Sequence, residues 1–131
     1  MPIVSSNFRA SGLFKNPHFS TIYSAKIRSV SDIKQHRERL ETEDGDFIDI
    51  DWSYAKETLS RKNVTKVAVL LHGLEGNAQR TYMLGMAKLL NQKGYDVAAL
   101  NFRGCSGSKN RLFRSYHSGE TEDIRYLINT V

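Results

Sequence analysis

Five residues, His72-Gly73-Leu74-Glu75-Gly76, form the combination in this sequence most able to do chemistry. A glycine directly after a strand lets the backbone bend sharply, so the next N–H, on Leu74, can point into a cleft. A backbone N–H aimed at a developing oxyanion is half of an oxyanion hole, and losing such a donor costs about 3–4 kcal/mol. On this reading Gly73 supplies the bend and His72 braces it. The plain alternative is a strand-to-helix turn with no ligand, which the same glycines satisfy. The residues alone leave both open.

The other reactive side chains make weaker patterns. His18, His36, His72 and His117 never fall four apart, the spacing of a helical zinc site. Cys105 and His117 share a loop, which would permit a thiol–imidazole pair, but a catalytic thiol also needs an orienting partner. The plain role for His117 is loop packing through backbone hydrogen bonds. Arg103 either pairs with acids in the cleft or holds its own loop. An Asp-rich stretch, Asp44 to Asp51, invites a calcium loop, yet Ile48 falls where an oxygen ligand belongs. No two glycines lie two apart and no Gly-Lys-Ser/Thr occurs, so neither dinucleotide nor P-loop binding is indicated. A phosphate on the Gly73–Asn77 N–H groups is the one option left in that class. No metal and no cofactor are expected. No serine is flanked by glycine two residues away on both sides; Gly104-Cys105-Ser106-Gly107-Ser108 comes nearest and fails at its last position.

The elements that must position the turn are legible around it. Val67-Ala68-Val69-Leu70-Leu71 is a short, β-branched apolar run, the pattern of a strand covered on both faces in a parallel sheet. Upstream, Ile48, Ile50 and Trp52 alternate with Asp49 and Asp51 after Asp44-Gly45. This predicts a hairpin with a type I′ turn, the apolar residues facing the core and the aspartates facing water. Residues 53–65 read as a polar connection. Met83, Met86, Ala87 and Leu90 share one face of a helix that Gly94 ends, and Tyr95–Phe102 is a second strand, giving a parallel βαβ unit. The loop from Arg103 to Gly119 is long enough to be functional. Ile124, Leu127, Ile128 and Val131 resume helical spacing, with a core-facing residue in last place and no stop signal, the pattern of a domain cut short. Residues 1–36, with Phe8, Leu13, Phe14, Phe19, Ile22 and Tyr23 as scattered apolar anchors and Pro17 as a helix breaker, form an N-terminal arm. Residues 37–131 form the domain.

With 131 residues, 40% hydrophobic and 25% charged, the chain suits one soluble globular domain. The formal charge of +5 comes from basic clusters at Lys26–Arg39 and Arg103–Arg114. Both are interrupted by acids or apolar residues, and no aromatic-basic motif accompanies them, so nucleic acid is not the expected partner. The single cysteine excludes an internal disulfide. No secretory pattern opens the chain and no run approaches a membrane span, so a cytoplasmic location is expected.

The order Asp44-Gly45-Asp46-Phe47-Ile48-Asp49-Ile50-Asp51-Trp52, then Val67–Gly76, then Asn101-Phe102-Arg103-Gly104-Cys105-Ser106-Gly107 and Arg114–Asp123, resembles the YheT-like branch of the α/β-hydrolase superfamily. The arm segment Asn16–Ile22 is similar to that branch's N-terminal motif, with Ser20 where glutamine is more usual. The resemblance covers nearly the whole chain. It implies an incomplete α/β-hydrolase fold: the hairpin as the first two strands, Val67–Leu71 as the third and Asp96–Phe102 as the fourth, cut before the nucleophile elbow. It also implies a serine carboxylic-ester hydrolase acting on small esters, acylglycerols or other lipid esters, with Leu74 as oxyanion donor. Family members place the serine after the helix that ends here, and the acid and histidine later, so no catalytic residue is expected within this chain. Two readings follow: half of an esterase, inactive alone, or a non-catalytic interaction module or decayed gene product. Without a fifth strand, Val67–Leu71 becomes an edge able to self-associate.

Overall fold

The computed structural model describes residues 5–55 and 66–131. The polar connection expected over residues 53–65 falls, from 56 to 65, outside the described residues. Strands β1 (His36–Glu41), β2 (Phe47–Ser53), β3 (Val67–Leu71) and β4 (Asp96–Asn101) form, among the described residues, one sheet in the order β1-β2-β4-β3. The β1–β2 and β2–β4 pairs are antiparallel and β3–β4 is parallel, with Leu71 opposite Leu100. An antiparallel hairpin thus leads into a parallel unit of β3, helix α2 (Thr81–Gln92) and β4, a partial α/β-hydrolase fold.

Strand β4 organises the core because it lies between β2 and β3 and is covered on both faces. Val97 and Ala99 pack with Met83 and Ala87 of α2 (Thr81–Gln92). On the opposite face Ala98 and Leu100 pack with Ile48, Ile50, Trp52 and Leu127, the last from α3 (Glu122–Thr130). Alternating side chains of one strand serve two clusters, as the period-two geometry requires. Helix α2 ends at Gly94, φ 82°, where Tyr95 N–H donates to Leu90 O and Gly94 N–H to Asn91 O. This is the paired closure that a left-handed glycine permits. Met86, expected on the core face of α2, is half exposed.

Four expectations are corrected. Asp49 and Asp51 are buried, not in water. On their face of β2 Gln79 donates to Asp51 at 2.8 Å, and across the hairpin each meets an arginine of β1: Arg39 grips both Asp49 oxygens at 2.8 and 2.9 Å, and Arg37 grips both of Asp51 at 2.6 and 2.9 Å. The hairpin turn is not type I′. Gly45 N–H bonds Thr42 O and Thr42 N–H bonds Asp46 O, and only Gly45 has positive φ, 82°, so the loop has three residues with a glycine bulge. Strand β3 packs on both faces through Val69, Ala68 and Leu70, but its open edge leaves Val67 38% and Leu71 43% exposed. Finally, Ile128 and Val131 of the last apolar series are exposed; of that series Leu127 alone is fully buried.

The arm lies along α2, with Thr81 Oγ1 donating to Ser24 O and Lys88 Nζ to Ser31 O. Asn16 caps the short helix α1 (Pro17–Ile22), its Oδ1 accepting from His18 and Phe19 N–H. Phe14, Phe19 and Tyr23 pack on one another, whereas Phe8, Leu13 and Ile22 are exposed and anchor nothing.

Candidate functional site

The turn after β3 is held from beneath by its histidine. His72 is buried, and its Nδ1 lies 2.8 Å from Gly73 O while its Nε2 accepts Phe102 N–H at 3.2 Å. A carbonyl can only accept and an amide only donate, so the proton sits on Nδ1. The ring meets Phe102 and Tyr116 edge-on, and those two rings stack at 5.0 Å with 8° between planes. Both imidazole nitrogens are thereby occupied in fixing the end of β3 to the end of β4.

Above His72 the chain folds back on itself. Gly76 N–H donates to Gly73 O at 2.9 Å and Glu75 adopts φ 54°, a left-handed conformation that only the surrounding contacts can hold in a residue with a Cβ. Gly76 has no room for a side chain: a Cβ would stand 2.9 Å from Gly73 O and 3.2 Å from His72 Cβ. Two tyrosines clamp the turn, Tyr82 Oη accepting Gly73 N–H at 2.9 Å and Tyr116 Oη accepting Glu75 N–H at 2.7 Å. Further on, Asn101 Oδ1 accepts Ala78 N–H at 2.9 Å and its Nδ2 donates to Asp49 O. The turn is therefore rigid, and the Leu74 N–H between the two clamped amides has no hydrogen-bond partner among the described residues.

The structure brings His72, Gly73 and Leu74 together and leaves Arg103 and His117 out. Arg103 is buried with its guanidinium turned to the hairpin and α3, bonding both Asp123 oxygens at 2.9 and 2.7 Å, Asp44 at 2.7 Å and Asp46 at 3.2 Å. Three carboxylates hold it there, and Asp123 first, then Asp44, push its pKa further up. His117 is exposed, and its Nδ1 accepts Gly119 N–H. The long loop contributes its neighbour Tyr116 to the turn instead. Cys105 is half-buried against the core beside Phe102.

The Asp-rich stretch is neutralised by side chains of the chain itself. The Thr42 hydroxyl and Arg103 hold the Asp44 carboxyl down to about 2. For Asp46, Asp49 and Asp51 burial pushes the pKa up, but hydrogen bonds from the Arg111 backbone, Arg39 and Arg37 respectively outweigh it and leave each below the usual carboxylate range. In the Arg103–Arg114 cluster, Arg111 likewise pairs with Glu41, and Arg114 with Glu120 and Glu122.

Sequence reasoning missed Tyr82, Tyr116 and Asn101. Nothing in their local spacing marks them, because each acts on a segment distant in the chain.

No protein-family model matches the chain. It is 36% identical over 115 residues to "Putative esterase YheT" of Escherichia coli K12, a match covering 88% of this chain and 33% of that protein. It is 30% identical over 113 residues to human "Phospholipase ABHD3", covering 85% of this chain and 28% of the other. Among solved structures, XC6422 of Xanthomonas campestris, described as an a/b serine hydrolase without lid, superposes with a TM-score of 0.56 at 19% identity, over 79% of this chain and 47% of that one. The chain spans about a third or less of the length of these curated relatives. Its fold is that of a partial α/β hydrolase, and in sequence it belongs to the YheT-like branch of that superfamily.

Proposed function

We propose that this chain carries the oxyanion-binding part of a serine carboxylic-ester hydrolase whose substrates are lipid or other carboxylic esters. The observation that carries the reading is the rigid turn at the carboxyl end of β3, where Leu74 N–H lies between two clamped amides with no partner among the described residues. Ligands of open α/β sheets bind at that end of the strands. As a carbonyl carbon becomes tetrahedral its oxygen gains charge, and a fixed N–H already in position stabilises that charge without reorganising. A serine would form the new bond to carbon, a histidine would take its proton, and an acid would orient the histidine. This chain offers none of the three in the required pattern, and His72 is already committed to its two backbone partners.

The 131-residue protein is therefore expected to hydrolyse a short-chain p-nitrophenyl ester no faster than buffer. Turnover well above blank, traced by mass spectrometry to an acylated residue of this chain, would place a nucleophile here and refute the assignment of parts.

The open edge of β3 supports a second reading, that of an interaction module pairing through Val67–Leu71. Its exposed apolar ends, and an edge that no strand pairs among the described residues, are a template for another strand.

A further inference from the structure

The Gly73–Glu75 turn presents three consecutive backbone N–H groups and treats them unequally. The outer two donate to phenolic oxygens, Gly73 to Tyr82 and Glu75 to Tyr116. A phenol has lone pairs to accept with and also one proton to give. In both tyrosines the turn occupies the accepting side, and among the described residues neither phenolic proton has an acceptor. Accepting a hydrogen bond polarises the O–H and makes it a better donor.

The two hydroxyls differ in placement. Tyr82 Oη sits back against Gly76, 3.0 Å from where a Cβ would be, and faces the inside of the turn. Tyr116 arrives from the separate 103–119 loop, its ring fixed by stacking on Phe102 and by the edge of His72. Its oxygen is one hydrogen bond from Glu75 N, the atom one residue along from Leu74 N. Glu75 is also the residue held in a left-handed conformation, so the strained peptide and the tyrosine meet at one point.

Resting on the reading of Leu74 N–H as an oxyanion donor, we propose that the Tyr116 hydroxyl is a second donor to the same ligand oxygen. The ligand class is a carbonyl or carboxylate oxygen, as in an ester or its acid product. The loop then completes the cradle with a side chain, and no proton is transferred: the phenol shares its hydrogen while its oxygen keeps the Glu75 amide.

The test is an NMR titration of the 131-residue protein with butyrate, following the Leu74 amide and the Tyr116 Cζ resonance. Both are expected to shift saturably with one binding curve. Tyr116→Phe, which keeps the stacked ring, is expected to weaken butyrate about tenfold, the scale of one hydrogen bond to a charged group. The Phe102 amide, held by His72, reports that the variant remains folded. If Leu74 shifts while Tyr116 Cζ does not, or if Tyr116→Phe binds equally well, the second donor is refuted and the Leu74 reading survives. If the wild-type Leu74 amide does not respond, the oxyanion reading fails and the second donor falls with it.

Discussion

His72 shows how a residue type that suggests catalysis can be consumed by structure. Its two nitrogens satisfy Gly73 O and Phe102 N–H, both at the junction of β3 and β4. Replacing it with leucine keeps the bulk but strands the Phe102 amide, and an unpaired buried donor costs about 1–3 kcal/mol. Urea denaturation of His72→Leu should show a loss in that range. The two residues that follow in the turn make opposite predictions. Glu75→Gly removes the left-handed penalty and should be neutral or stabilise by up to about 1 kcal/mol. Gly76→Ala must displace Gly73 O or His72 and should cost about 1–3 kcal/mol. The bend at Gly73 and the bracing histidine were legible because they are local. The tyrosine clamps were not, since a hydroxyl's target 9 or 41 residues away leaves no mark on its neighbours.

At the scale of elements, alternation misled at β2. Ile48, Ile50 and Trp52 do face the core, but the rule that the intervening residues meet water assumes an uncovered second face. Here polar side chains cover it, and Asp49 and Asp51 are tolerated because Arg39 and Arg37 stand directly opposite and Gln79 donates to Asp51. That pairing was hidden by the turn: counted outward from the expected type I′ turn, Asp49 faces Leu40 and Asp51 faces Glu38, and only the three-residue turn brings Arg39 and Arg37 opposite them. Arg103 plays the same part for Asp46 and Asp123 at full burial, so Arg103→Met should cost about 3–5 kcal/mol by leaving buried carboxylates unpaired. The β3 edge makes a prediction of another kind. At high concentration the protein should elute from size exclusion larger than a monomer, and Leu71→Lys should restore the monomer by placing a charge on the open edge. A monodisperse wild-type monomer would remove the case for edge pairing.

Across the whole molecule the acids dominate the response to pH. Asp44, Asp46, Asp49, Asp51 and Glu120 all have folded-state pKa values below their ordinary ones. A group depressed in this way stabilises the fold above its unfolded pKa, about 4, and ceases to do so as pH falls through its folded value. Stability measured by urea midpoint should therefore be level from pH 7 to about 5 and decline from about 4 downward, with Asp44 taking up its proton at about 2. A midpoint that holds or rises through that interval contradicts these pairings.

Asp46 takes the Arg111 amide, the Asn110 side chain and Arg103, so the hairpin tip fastens the middle of the 103–119 loop. Tyr116 stands five residues beyond Arg111 on that loop. A disturbance at the hairpin tip should thereby reach the far rim of the sheet: loosening Asp46 is expected to let the Glu75 amide exchange its hydrogen faster without any change near Glu75 itself. On this prediction the hairpin tip and the Gly73–Glu75 turn are two ends of one lever.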